Sequence, residues 1–347
     1  MSWLPPDDDD GDYAEYDESS AKVRPNPKAN KPRSKQRPEH ADAVTGRVFS
    51  VDRGRYGVWV DENTPQERQL IATKARELRT QEGRISVVAG DYVDIVGDTT
   101  GDEGSLARIV RVQPRTTLLR RSADDTDAVE RIIVANADQM LIVVAAANPE
   151  PRPRLVDRYL VAAYDAGIAP ILVITKTDLA DPAEFLANFA GLDLHVIESR
   201  SDEFPLDELH ALLEGHTTVA VGHSGVGKST LVNALVPDAN RAVGRVNDVT
   251  GRGRHTSSST ISYRIGTGWI VDTPGVRSFG LGHIDPANIL RSFTDLAELA
   301  EECPRGCTHL PDSPDCAIIE GVAEGRLGEL GPQRLESFQR LITTLGS

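Results

Sequence analysis

The sequence predicts a multidomain α/β protein: an N-terminal OB-like β-barrel, a doubly wound α/β domain and a C-terminal helical domain built round a cysteine cluster. Three observations predict it. Short β-rich runs separated by turn signals fill residues 43–115, strands and helices alternate through residues 130–283, and beyond residue 284 two helical stretches flank the chain's three cysteines. At 347 residues with 39% hydrophobic side chains, the chain is long and apolar enough for two or three cores. Residues 1–42 stand apart. "MSWLPPDDDDGDYAEYDESS" has no base and "KVRPNPKANKPRSKQRP" no acid, and neither has hydrophobic periodicity, so both are expected to be disordered. A solubilising tail and a basic arm for phosphates are both open readings.

The barrel is read from "AVTGRVFSVD", "RYGVWVDE", "RQLIATKAREL", "DYVDIVGD" and "LARIVRVQ", five runs in about seventy residues. Tyr56 and Trp59 are either stacking platforms or core, and Arg68, Lys74, Arg76 and Arg79 form the candidate phosphate-contacting edge. Residues 116–129 are expected to be a linker. The next domain follows from "QMLIVVAA", "RPRLVDRYLVAAYDAG", "APILVITKTDL", "LDLHVIES", "PLDELHALLEG", "HTTVAVGHSG" and "KSTLVNALVP". Strand and helix alternate there, which places ligand loops at the carboxyl ends of the strands.

Two of those loops carry chemistry. Gly222, His223, Ser224, Gly225, Val226, Gly227, Lys228 and Ser229, followed by Thr230, satisfy the phosphate-loop pattern between a strand and a helix. Glycine backbone N–H groups and the helix N-terminus favour phosphate, Lys228 reaches the β/γ-phosphates, and Ser229 can ligate Mg²⁺. In "WIVDTPGVRSF", Asp272 is the candidate that holds Mg²⁺ through water, and the Gly275 N–H is the candidate γ-phosphate sensor. Between them, "NDVTGRGRHTSSST" suits a loop ordered by γ-phosphate, with Thr256 the candidate second protein ligand of Mg²⁺ or, equally, loop filler. Base choice rests on "TKTDL": the Asp178 carboxylate can accept from both N1–H and N2–H₂ of guanine, a donor pair adenine lacks. Thr175 opens that motif, the stem of Lys176 can lie along the ring, and Ser199, ending the next strand, is a candidate backbone contact. The ligand is therefore GTP or GDP.

These parts run in an unusual order, the base motif preceding the phosphate loop. Keeping the doubly wound sheet while cutting the chain elsewhere and joining the old ends produces that order, so the domain reads as a circularly permuted P-loop GTPase. The C-terminal segment then follows Asp272 directly. There, Cys303-x3-Cys307-x-His309-x6-Cys316 offers three thiolates and an imidazole, a closed set suited to one structural Zn²⁺.

Composition limits the alternatives. The net charge of −15 argues against a generic basic nucleic-acid coat. The longest apolar run, "MLIVVAAA", is too short to span a bilayer and the first residues are acidic, so a soluble cytoplasmic protein with no membrane partner is expected.

"ANADQMLIVVAA", "TKTD", "GHSGVGKST", "GRGRHTSSS", "DTPGVRSF" and the Cys/His segment together resemble the ribosome small subunit-dependent GTPase A (RsgA) family of circularly permuted bacterial GTPases, from about Val44 to the C-terminus. The resemblance implies a monomeric GTPase that docks on the small ribosomal subunit and its 16S rRNA late in maturation, hydrolyses GTP there and leaves, with no DNA partner. It also implies a hydrophobic residue, here Val276, where many GTPases carry a catalytic Gln, and His255 as the candidate catalytic residue. The chain departs from the family in having Thr175 where Asn is usual, and in the spacing of its cysteines. A nucleotide-gated RNA-binding adaptor with incidental hydrolysis is the alternative.

Overall fold

Five strands close the N-terminal barrel: β1 (Val44–Asp52), β2 (Arg55–Val60), β3 (Arg68–Lys74), and, after the two-residue strands β4 (Arg79–Thr80) and β5 (Gly83–Arg84), β6 (Tyr92–Gly97) and β7 (Ala107–Val112). The circuit runs β1–β2–β3–β7–β6 and back to β1, antiparallel except for the parallel β3–β7 pair. That is the five-stranded Greek-key connectivity of an OB-fold. Alternation fills its interior: Val48, Val58, Val60, Leu70, Val93, Ile95 and Ile109 are all almost fully buried. The computed structural model describes residues 40–52, 54–75, 78–80, 83–84, 86–122, 130–237, 260–273, 279, 281 and 284–346.

Where a linker was expected, β8 (Leu118–Ser122) pairs antiparallel with β9 (Glu130–Ala135). The reason is apolar: Leu119 and Val134 are buried into the core of the following domain. That domain is a sheet of β10 (Gln139–Ala145), β11 (Ala169–Thr175), β12 (His195–Glu198), β13 (Thr217–Gly222), β14 (Ile261–Ile265) and β15 (Gly268–Asp272). Helices α1 (Pro153–Asp165), α2 (Ala183–Ala187), α3 (Leu206–Leu213) and α4 (Lys228–Leu235) lie between the strands.

The spatial order is β12-β11-β10-β13-β15-β14, parallel except for β14. The phosphate-loop strand β13 lies at the centre, yet three sheet strands precede it in the chain. If the chain were cut between β12 and β13 and the end of β15 joined to the start of β10, β13 would come first and β12 last, with no strand moved. The permutation read from motif order is therefore present in the topology.

Of the C-terminal helices α5 (Pro286–Arg291), α6 (Thr294–Ala300), α7 (Ala317–Ala323) and α8 (Gly331–Thr343), α5 and α8 pack on α1, and α6 and α7 pack on them and on each other. Phe279, Leu281, Phe293, Leu296, Phe338 and Leu341 share one core with Tyr159, Leu160 and Phe185, so the helical unit continues the hydrophobic face of the sheet. Arg334 and Arg340 on α8 fasten it to the segment between α2 and β12: Arg334 reaches Asp193 at 3.0 Å and Arg340 donates to the Asn188 carbonyl at 2.6 Å. Among the described residues no helix is long and apolar enough to cross a membrane.

Candidate functional site

The carboxyl ends of β10, β11, β13 and β15 converge on one edge of the sheet, as parallel register requires. β13 ends at Gly222 and the phosphate loop turns into α4 with Gly227 in the left-handed region, φ 93°, where a side chain is strained. Lys228, the first residue of α4, makes an ion pair with Asp272 at the end of β15. Two groups that would grip phosphate and Mg²⁺ are thus neighbours, each neutralising the other. Burial, with Asp272 nearby, pushes the Tyr263 hydroxyl up to about 12, so that ring stays neutral beside them. Thr273 continues the strand by donating to the Ala220 carbonyl at 2.9 Å.

The base motif is joined to the phosphate loop by side chains. Thr175, almost fully buried, donates its hydroxyl to the Val226 carbonyl at 2.6 Å. Lys176, at φ 60°, donates to the Gly225 carbonyl at 2.8 Å and to the Asn148 carbonyl. Thr175 is therefore turned toward the loop backbone and does its work there. Asp178 accepts the Ser201 N–H at 2.6 Å, and that bond holds its carboxyl below the ordinary aspartate value. It remains an ionised acceptor, the form that guanine's adjacent donors require.

Ser199 follows the last residue of β12. Its N–H donates to the Ile174 carbonyl at 2.8 Å and its own carbonyl accepts from Thr177, so both backbone groups are consumed by the strand end. Ser201, two residues on, also joins the base motif, its N–H donating to Asp178, a contact strand-end reasoning missed. His223 and Ser224 lie on the outer turn of the phosphate loop, His223 Nδ1 lying 3.0 Å from the Ser224 carbonyl. Ser229 and Thr230 are exposed on the first turn of α4, and Ser229 and Asp272 offer the hydroxyl and carboxylate oxygens that suit Mg²⁺. His255, Thr256 and Gly275 lie outside the described residues, as do residues 1–39 of the tail.

In the barrel, Arg68 of the expected phosphate-contacting edge has internal partners, and Arg76 lies outside the described residues. Arg68 pairs with Asp61 at 2.5 Å and donates to the Thr99 carbonyl at 2.9 Å. Tyr56 is core, and Trp59 packs on Phe49 and Trp269.

Cys303, Cys307, His309 and Cys316 place their ligand atoms within 4.8 Å of one another. The Cys303 and Cys316 sulfurs are each 3.7 Å from His309 Nδ1 and 4.0 Å apart. A tetrahedral ion with about 2.3 Å bonds to sulfur sets sulfurs about 3.8 Å apart, so the four residues fit one such ion. His309 adopts φ 57°, and Gln339 of α8 donates to its carbonyl at 2.9 Å, tying the cluster to the last helix.

Comparisons with known proteins agree with this geometry. Residues 112–282 match the family model described as RsgA GTPase. The chain is 39% identical over 254 residues to "Small ribosomal subunit biogenesis GTPase RsgA" of Pseudomonas syringae pv. syringae, covering 71% of this chain and 72% of the relative. The protein of the same name from Pseudomonas aeruginosa is 36% identical over 273 residues, covering 75% and 76%. Among solved structures, "The crystal structure of YloQ, a circularly permuted GTPase" superposes with a TM-score of 0.62 over 89% of this chain and 98% of that one, at 24% identity. A central phosphate-loop strand entered late in the chain, a base motif tied to that loop, and relatives similar over more than two thirds of the sequence lead to one conclusion: the chain is a GTPase and belongs to the RsgA GTPase family.

Proposed function

We propose that the chain converts GTP to GDP and phosphate while docked on the maturing small ribosomal subunit, contacting its 16S rRNA, and that it works as a monomer in the cytoplasm. The observation that carries the nucleotide reading is the Thr175 to Val226 hydrogen bond, which makes the base motif and the phosphate loop one rigid receptor. The names of the Pseudomonas relatives attach GTP hydrolysis to small-subunit biogenesis, which supports the same partner here.

Guanine is selected by Asp178, with the Lys176 stem along the ring and the loop after β12 closing the far side. Phosphates are cradled by the backbone from Gly222 to Thr230 and by Lys228, which must exchange its internal partner Asp272 for the nucleotide. Ser229, Thr256 and Asp272 would hold Mg²⁺, which when bound neutralises charge on the phosphates. The Gly275 N–H meets the γ-phosphate. His255 orients the attacking water, since Val276 has no group to do so. Cys303, Cys307, His309 and Cys316 would hold one Zn²⁺, which closes the helical unit and leaves no open coordination position.

The test of the receptor is calorimetric titration with GDP and ADP. The parent should bind GDP and discriminate strongly against ADP. Asp178→Ala should lose at least about tenfold in GDP affinity, since hydrogen bonds to a charged acceptor contribute about 1.5–3 kcal/mol. Equal affinity for ADP and GDP in the parent would refute guanine selection at this site.

A further inference from the structure

The barrel grips one hairpin of the GTPase sheet at both ends. At the nucleotide end, β1 bulges between Val48 and Ser50, and past the bulge Ser50 pairs with Ile261 of β14. Ile261 is itself opposite Asp272 of β15. Ser50, Ile261 and Asp272 thus lie on one lateral rung, running from the barrel's first strand to the candidate Mg²⁺ carboxylate.

At the turn end, Arg264 faces Trp269 across the hairpin. The Arg264 guanidinium lies 5.5 Å from the Trp269 ring and pairs with Glu67 at 2.9 Å and with Asn63, both from the barrel loop after β2. Arg47 of β1 covers Trp269 at 5.3 Å and donates to Thr217 of β13 at 2.6 Å. Trp59 meets Trp269 edge-on at 6.3 Å. Desolvated cation–π contacts of this kind hold geometry as well as energy.

This joint is also incompletely satisfied. Arg47 Nε is buried without a hydrogen-bond partner among the described residues, and the Glu62 carboxylate and the Trp269 Nε1–H, a complementary acceptor and donor, face each other without a well-formed bond. Burial pushes the Glu62 carboxyl up, against the pull of Arg47 and Arg264. A small shift of the hairpin against the barrel would change which of these groups are paired, which is what an element with two positions requires.

We infer that the barrel is a positioning element for Asp272: its hold on β14 and β15 through Ser50 and Arg264 sets where that carboxylate stands, so a load on the barrel alters how the site takes up Mg²⁺ with the nucleotide. Arg264 and Ser50 touch neither nucleotide nor ion; they act through the hairpin. The inference rests on the reading of Asp272 as an Mg²⁺ ligand.

Two variants disturb the grip away from the site. Arg264→Ala removes the contacts that Arg264 makes at the turn end with Glu67, Asn63 and the Trp269 ring. Gly57→Ala acts at the other end, because a Cβ on Gly57 would stand 2.4 Å from Ser50 Oγ and 2.6 Å from the Phe49 ring, pushing β1 where it pairs with Ile261. GDP binding by the full chain is measured calorimetrically in EDTA and then as a function of Mg²⁺, with tryptophan emission followed in a Trp3→Phe background. Both variants should bind GDP in EDTA within about twofold of the parent, while the Mg²⁺ half-saturation of binding rises at least about fivefold and the Mg²⁺-dependent emission change shrinks. Arg264→Lys, which keeps the charge without the planar fork, should fall between Arg264→Ala and the parent. Should Gly57→Ala fail to fold, the Arg264 pair decides.

An unchanged Mg²⁺ half-saturation in folded variants would overturn the inference alone. An equal loss of affinity with and without Mg²⁺ would also overturn it, marking the contact as structural only. Failure of the parent to bind GDP would overturn the functional reading, and this inference with it.

Discussion

Thr175 shows how a single side chain can serve a motif without touching the ligand. One hydroxyl cannot reproduce the several bonds of an amide, but from the buried end of β11 it reaches the phosphate-loop carbonyl of Val226, and Lys176 reaches that of Gly225. Thr175→Val keeps the shape and removes the donor, leaving a buried carbonyl unpaired at a cost of about 1–3 kcal/mol. GDP affinity should fall by at least about fivefold while the preference for GDP over ADP stays, because Asp178 is untouched; unchanged affinity by calorimetry would show that the bond is idle. The residue type was legible in the sequence, but its partner, 51 positions away, was not. Ser199 illustrates the complementary limit: the strand could be read to its last residue, but which N–H remains free beyond it depends on pairing with β11.

At the scale of elements, the cysteine segment and α8 act as one fastening. His309 is anchored by Gln339, Arg334 binds Asp295 at 2.5 Å and 2.8 Å, and Phe338 is buried against Phe293. A metal at the four ligands closes the loop between α6 and α7, so its removal frees both helices from the core they share with α1. Cys316→Ser, or chelation of the parent, should lower the melting temperature by several degrees and abolish bound zinc in elemental analysis; a chelated protein that melts like the parent would refute a structural ion. The cluster was readable because four ligands lie within fourteen residues, Cys303 to Cys316. The β8–β9 hairpin was not, because it is held by burial of Leu119 and Val134 under a domain whose position no local pattern reveals.

For the whole molecule, motif order and alternation of strand and helix were sufficient to anticipate the barrel, the permuted sheet and the helical cap. What they could not show is that the barrel and the central sheet are continuous through β1 and β14, since a single antiparallel contact between distant edges leaves no periodic trace. That continuity connects the barrel to Asp272, and the shared core beneath Phe279 and Phe293 joins the helical unit to the sheet. A partner seated on those units can therefore act on the nucleotide site without entering it. The most direct test is steady-state GTP hydrolysis by the full chain with and without purified small ribosomal subunits at fixed Mg²⁺ and salt, for the parent and for His255→Ala. The account predicts slow turnover alone, a large stimulation by subunits, and loss of that stimulation in His255→Ala with GDP binding intact; demonstrable subunit binding that leaves turnover unchanged would contradict it.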